Sequence, residues 1–329
     1  MPGGDRPRSQ SGNRRRAPQG RPQGRNRGGH GHGSKQSARN PASSRPDTDR
    51  ARHPAPAVVR TAENAEERQA ISANRRWAAL ACTIPALVIG GIVGLIVVLL
   101  GLPLVGAGVF VVVTLVIAGW IWRTAPGMVV RAVGASPSNE EERPRLHNVV
   151  DGLCATMGLP RPVLLVVDSP VLNALAIGRD PQRASLIVTS GLDESLSLVE
   201  LEGVVAQELV HIKRQDTVRS EIAVAVVAPL ALVSSSGAAM VHALVGHGRE
   251  FSADQRAVGV VRYPTGLGSA LRTMAESTGS STPWPPGGGR ISSLTRWLWI
   301  NPMAGATSEG VVDGELDDVG LRAAALALL

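Results

Sequence analysis

Leu198-Val-Glu-Leu-Glu-Gly-Val-Val-Ala-Gln-Glu-Leu-Val-His-Ile-Lys-Arg-Gln-Asp-Thr217 reads as one helix. Ser197, followed three residues later by Glu200, makes a capping box that satisfies orphan N–H groups at the helix start. Apolar residues at 201, 204, 205, 209 and 212 recur at helical spacing and form a stripe that must be buried. In the middle sit Gln207, Glu208 and His211. Positions four apart share one helix face, so Gln207 and His211 point the same way.

Gln207-Glu208-Leu209-Val210-His211 is the zinc-binding pattern H-E-x-x-H with its first histidine replaced by glutamine. In the full pattern two imidazoles on one face grip a metal ion, and the glutamate takes a proton from the metal-bound water. A lone E-x-x-H on a helix is usually structural, so the rest of the chain has to decide the reading.

The chain has 329 residues and a formal charge of +7. Residues 1–76 carry 17 Lys and Arg against six Asp and Glu, a net +11, which leaves −4 for the remainder. Residues 1–59 are rich in Gly, Pro, Arg, Ser, Gln and Asn and nearly lack large apolar side chains. Such a segment cannot bury enough surface to offset ordering entropy and is expected to be a disordered basic tail. Its charge suits anionic lipid. It lacks the interleaved aromatics that stack on bases, so no specific nucleic-acid binding is expected. The two cysteines, Cys82 and Cys154, make no disulfide framework.

Residues 60–76 read as a charged juxtamembrane helix. Trp77 to Leu100 gives 24 residues without a charge, and Leu104 to Trp122 gives 19 more after Gly101-Leu102-Pro103. A spanning helix needs about 20 apolar residues, so residues 77–123 are expected to form a transmembrane helical hairpin in the lipid bilayer. Trp77, Trp120 and Trp122 fall at one interface as an aromatic belt. Arg75, Arg76, Arg123 and Arg131 fall on the same side, which places the tail and everything after the hairpin in the cytoplasm.

A helix is expected from Ser138, with Glu140, Glu141 and Glu142 in its first turn, an apolar face of Leu146, Val149, Val150, Leu153 and Met157, and Gly158 at its end; His147 is read as an exposed residue on it. Pro162–Asp168, Asn173–Ile177 and Leu186–Thr189 read as strands, and Gly178-Arg179-Asp180-Pro181 as the turn that pairs the last two antiparallel. Residues 124–329 are thus an α+β unit, mostly helical with a small sheet.

Several ordered motifs resemble one family. Asn173-Ala-Leu-Ala, Ile187-Val-Thr-Ser-Gly-Leu192, Glu200 to Thr217, and Arg249-Glu-Phe-Ser-Ala-Asp-Gln-Arg-Ala257 are similar to segments of the HtpX-type membrane zinc metalloproteases, which are related to the CAAX prenyl endopeptidases. The likeness covers roughly residues 75–275. It implies a zincin-like peptidase domain behind the hairpin. It implies His211 and the downstream Glu250 as zinc ligands and Glu208 as general base. Asp254, one turn after Glu250, would orient the ligand at 207, and the strand at Asn173, Ala174 and Ala176 would hold an extended polypeptide substrate. Substrates would be membrane or misfolded proteins.

The departure is Gln207. An amide oxygen is a harder, neutral donor poorly suited to zinc, so Gln207 is a weak ligand or none. With its oxygen on the metal, its NH2 could donate to Asp254. Outside the tail the only other histidines are His147, His242 and His247, of which His247, three residues before Glu250, is the one placed to compensate.

Ile222–Val245 is apolar enough to span a bilayer, but one span would separate His211 from Glu250. It is therefore expected to turn back near Ser234–Gly237 as two short helices. Tyr263–Thr278 suggests a further helix, Ile291–Ile300 one carrying Trp297 and Trp299, and Leu316–Leu329 a terminal one. Asn301-Pro302 stands where the family tends to have His-Pro. Three functional classes remain: a zinc metalloendopeptidase impaired by Gln207, a pseudopeptidase that binds a peptide or protein partner, and a scaffold working through its basic tail.

Overall fold

The computed structural model describes residues 56–246, 248–277, 283–304 and 318–328, with side chains from residue 65 onward. The expected tail up to residue 55 and His247 lie outside the described residues.

Helix α1 (Pro56–Leu99) and helix α2 (Pro103–Val133) form the hairpin, turning at Gly101, whose φ of 87° is the left-handed conformation that glycine tolerates. Both are long and apolar enough to cross a membrane. The expected separate helix at 60–76 is one piece with the first apolar run, and α1 starts four residues inside the expected tail. Likewise α2 continues past Arg123 to Val133 instead of stopping at the aromatic belt. No helix breaker stands at residue 76 or 123, and α2 runs on through Pro126 at the cost of one i→i−4 hydrogen bond. The two helices touch along small residues. A Cβ at Gly94 would lie 2.9 Å from the Phe110 Cβ and 3.0 Å from the Gly106 carbonyl oxygen.

After α2 a two-residue strand β1 (Ser136–Pro137) leads to α3 (Pro144–Met157). The expected helix start at Ser138 is displaced to Pro144, which occupies the first helical turn where a missing N–H costs nothing. Residues 138–143 instead fold as a turn in which the Ser138 hydroxyl lies 2.9 Å from His147 Nε2. His147 is accordingly buried, contrary to the sequence reading, and its other nitrogen faces Arg161 at 2.6 Å.

Strands β2 (Val163–Val167), β3 (Ala174–Ile177) and β4 (Ser185–Thr189) complete a four-stranded sheet in the order β1-β2-β4-β3. β3 and β4 pair antiparallel, as the turn signal predicts, with Ala174 opposite Val188 and Ala176 opposite Leu186. β2 and β4 pair in parallel. Alternate residues point to opposite faces, so the sheet builds two cores. Leu164, Val166, Ala174, Ala176, Leu186 and Val188 face one; Leu165, Val167, Leu175, Ile177 and Ile187 face the other.

Short α4 (Ser190–Ser195) leads into α5 (Leu198–Arg214), which opens with the capping box: the Ser197 hydroxyl accepts from Glu200 N–H, and Glu200 Oε2 accepts from Ser197 N–H at 2.8 Å. The stripe Leu201, Val204, Val205, Leu209 and Ile212 is buried in the first core. Then come α6 (Thr217–Ala231), α7 (Gly237–Val245), α8 (Arg249–Val261), α9 (Pro264–Glu276), α10 (Arg290–Leu294) and α11 (Val319–Leu326). The apolar stretch 222–245 does turn back, with α6 ending at Ala231 and α7 starting at Gly237. α9 crosses α5 closely at Gly203, where a Cβ would sit 2.8 Å from the Leu267 nitrogen. Trp299 is buried in the second core, edge-on to Trp284.

The hairpin is joined to the body. Val218, Ile222 and Ala225 of α6 form a core with Ala78, Cys82, Ile121 and Ala125. Asn74 donates to the Arg214 carbonyl, Arg75 Nε donates to Gln215 Oε1 at 2.9 Å, and the Arg219 guanidinium lies 4.9 Å over the Trp77 ring.

Candidate functional site

α5 carries Gln207, Glu208 and His211 into the interior, each at most 2% exposed. The helix ends at Gln215, whose φ of 54° is left-handed. That reversal swings Asp216 back under the helix, so that one of its carboxylate oxygens lies 2.8 Å from His211 Nδ1. α8 starts after Gly246 and Gly248, both with positive φ, and presents Glu250 in its first turn. Glu250 Oε2 is 3.3 Å from His211 Nε2. The two distant stretches named by the sequence therefore meet at one point.

Gln207 occupies the third corner. Its Nε2 donates to Glu250 Oε2 at 2.6 Å and lies 3.0 Å from His211 Nε2. The amide N–H and the imidazole N–H thus converge on one carboxylate oxygen. Glu250 Oε1 accepts from Arg249 Nη2 at 2.7 Å, and Arg249 Nη1 donates to Ser220. Arg322, wholly buried on α11, clamps Asp254 with two bonds of 2.7 Å and reaches within 3.7 Å of Glu250 Oε2.

These charges set one another. Burial alone would favour neutral Glu250, but His211 and the Arg249 guanidinium hold it well below the usual carboxylate range. Burial would also depress His211, yet the Asp216 and Glu250 carboxylates outweigh it and hold the imidazole up at about 10. Glu208 is pushed up to about 7 by burial, against the pull of His211; the Ala176 N–H of β3 points at its carboxylate. Glu208 therefore sits beside the sheet edge with a proton affinity matched to neutral pH.

Asp254 does not face Gln207: its carboxylate belongs to Arg322, and the amide of Gln207 goes to Glu250 instead. The carboxylate that contacts His211 from behind is Asp216. β3 is an edge strand, but its Asn173 end is engaged within the chain. Ile300 N–H donates to the Ala174 carbonyl, Asn173 Nδ2 donates to the Asn301 carbonyl at 2.7 Å, and Asn301 N–H donates to Asn173 Oδ1. Of the three strand residues singled out, Ala176 is the one next to Glu208.

Zinc takes lone pairs from N or O donors at roughly 2.0–2.2 Å in tetrahedral array, which sets neighbouring ligands about 3.3 Å apart. The His211–Glu250 separation of 3.3 Å matches that edge. The third corner does not. An oxygen 2.6 Å from Glu250 Oε2 would set two acceptors against each other, so the amide must offer its N–H there, and hydrogens cannot ligate a cation. Its carbonyl oxygen is turned elsewhere, buried without a hydrogen-bond partner. Among the described residues no group of three His, Cys, Asp or Glu is arranged to hold a metal ion. As it stands the donor set does not fit zinc.

Sequence reasoning missed Asp216, Arg249 and Arg322. Asp216 follows His211 by five residues and is visible only once the left-handed turn at Gln215 is known. Arg249 adjoins Glu250, and its part could have been suspected from adjacency. No local pattern marks Arg322.

Comparison with known proteins follows the same residues. The model of a family described as peptidase family M48 matches residues 140–298. The chain is 34% identical over 209 residues to a protein named Protease HtpX homolog from Tropheryma whipplei (strain Twist), covering 54% of this chain and 69% of that one. It is 28% identical over 237 residues to a Protease HtpX homolog from Salinibacter ruber (strain DSM 13855 / M31), covering 64% of this chain and 84% of that one.

Proposed function

The chain belongs to the HtpX-type M48 peptidases, a family of membrane-associated, zinc-dependent metalloproteases, and from that premise we propose that it is a membrane-anchored metalloendopeptidase-like protein whose metal site is impaired by Gln207 and whose targets are membrane or misfolded polypeptides. The observation that carries this reading is the convergence of Glu208, His211 and Glu250 around one buried amide, where the family pattern has an imidazole.

Several features support it. Glu208 has the proton affinity of a general base and accepts from the Ala176 N–H of β3, the strand that the resemblance assigns to an extended polypeptide. The Asn173 end of β3 is already paired with residues 300 and 301, which leaves only its Ala176 end for a substrate. Arg75, Arg76, Arg123 and Arg131 flank one side of the hairpin, which supports a multi-pass protein of the cell membrane with body and tail in the cytoplasm. The basic tail is suited to anionic lipid, an electrostatic contact that salt would weaken.

The test is metal analysis of the purified full chain together with cleavage of an unfolded reporter polypeptide. The natural sequence is expected to hold well under one zinc per chain and to cleave weakly, and Glu208→Gln should abolish what cleavage there is. Gln207→His should raise zinc content and rate together. A Gln207→His protein that gains neither overturns the proposal.

A second reading is a pseudopeptidase that binds polypeptides without cutting them. It is favoured by the inward N–H of Gln207, which offers Glu250 a donor where a metal ligand would offer a lone pair. It is distinguished by reporter binding in the natural chain with no Glu208-dependent cleavage.

A further inference from the structure

We propose that the Gln207 amide is a structural replacement for the metal ion: it ties α5 to α8 by hydrogen bonds where relatives would use coordinate bonds, so that this chain's body is held together independently of zinc. The inference rests on the reading of an impaired metal site and adds what fills that site's structural role.

A metal bound at this place would do two mechanical things. It would bind the middle of α5 to the start of α8, and it would neutralise the carboxylate that α8 brings in. Each has a substitute in this chain. The bridge is the 2.6 Å bond from Gln207 Nε2 to Glu250 Oε2, joining residues 43 positions apart, with both side chains buried. Bonds to an ionised acceptor are the strong ones, and burial removes the water that would compete for it. The neutralising charge comes from two guanidiniums, beside His211 Nε2 at 3.3 Å from Oε2. Arg249 lies 2.7 Å from Glu250 Oε1, and Arg322 lies 3.7 Å from Oε2 while clamping Asp254. Both oxygens of Glu250 are thus satisfied by N–H donors.

The orientation of the amide argues the same way. With its nitrogen inward, Gln207 leaves its own Oε1 buried without a partner, an arrangement that costs stability. A side chain accepts that cost only where the inward bond is worth more. The arrangement present is the one that serves a carboxylate.

The experiment is thermal unfolding of the purified full chain in detergent, with chelator or with added zinc, for the natural sequence, Gln207→Met and Gln207→His. Met keeps the length of the side chain and removes the donor. The natural protein is expected to melt at the same temperature, within about 1 °C, in chelator and in zinc. Gln207→Met should melt lower by roughly 3–10 °C and be indifferent to zinc. Gln207→His should melt low in chelator and recover when zinc is added, because metal and amide then exchange the same task. A Gln207→Met protein that melts with the natural one, itself free of zinc, overturns this inference and leaves the impaired-site reading standing. A natural protein that carries one zinc per chain and loses several degrees on chelation overturns the impaired-site reading and this inference with it. Where Gln207→Met fails to accumulate, Gln207→His decides: equal stability to the natural protein without metal overturns the inference.

Discussion

His211 Nδ1 lies 2.8 Å from an oxygen of Asp216, and the two residues straddle a helix end where Gln215 takes a left-handed conformation. The helix places the imidazole, and the turn that ends the helix supplies the group that fixes its orientation. An orienting carboxylate on a ligand histidine typically governs metal affinity by about 10- to 100-fold.

In the Gln207→His protein, adding Asp216→Ala is therefore expected to weaken zinc binding by roughly 10- to 100-fold. Competition with a chromophoric chelator measures this directly. Unchanged affinity would mean that Asp216 neither orients His211 nor holds its charge.

Arg322 is predicted to be a major stabilising residue although it lies far from α5 in sequence. Arg322→Met leaves Asp254 buried beside Glu250 with no guanidinium, and breaking a buried pair in this way costs about 3–5 kcal/mol. Arg322→Lys should recover only part, because an ammonium cannot make two parallel bonds to one carboxylate. Chemical unfolding of both variants against the natural chain tests the order.

The hairpin offers a positional test. A methyl at Gly90 would lie 2.3 Å from Thr114 Oγ1, and one at Gly106 would lie 2.8 Å from the Gly94 carbonyl oxygen. Alanine at either position should force α1 and α2 apart. Alanine at Gly91 or Gly108, where nothing lies within 4 Å, should be silent. Disulfide trapping between cysteines placed across the two helices reads the separation; equal trapping in all four variants would refute the close contact.

Glu221 links stability to pH. It is fully buried on α6, accepts from the Gly178 N–H, and is pushed up to about 7 by that burial. A carboxyl group whose folded pKa is raised binds its proton more tightly when folded. Its contribution is intact below about 4.5 and is lost as pH rises through about 7, by an amount on the order of 3 kcal/mol. Glu221→Gln, which keeps an acceptor for Gly178, should match the natural protein near pH 4.5 and exceed its stability near pH 8. Parallel urea unfolding at the two pH values measures this, and identical pH dependence in both proteins would contradict it.

The fold was readable where local chemistry acts alone. The capping box at Ser197, the stripe from Leu201 to Ile212, the break at Gly101-Leu102-Pro103 and the turn at Gly178 all appear where their residues require. Errors arose where a neighbour overrides the local signal. Glu140 to Glu142 look like a helix start, but Pro144 is the better first residue. His147 looks like a solvated helix residue, but Ser138 and Arg161 give it partners inside. At the site, Gln207, Glu208, His211 and Glu250 follow from spacing and resemblance. The partners Asp216 and Arg322 depend on a left-handed turn and on the docking of a helix 68 residues beyond Asp254, and no window of sequence contains either.

Asn74 and Arg75 find their partners Arg214 and Gln215 140 positions later in the chain. Ribosomes add about 5–20 residues per second, so roughly 7–28 s separate the synthesis of the two sides of this seam. Throughout that interval the Asn74 amide, the Arg75 guanidinium and the Trp77 indole are without the partners they have in the fold. They form a landing platform made before the element that lands on it, and α5 and α6 complete their ends against a surface already in place.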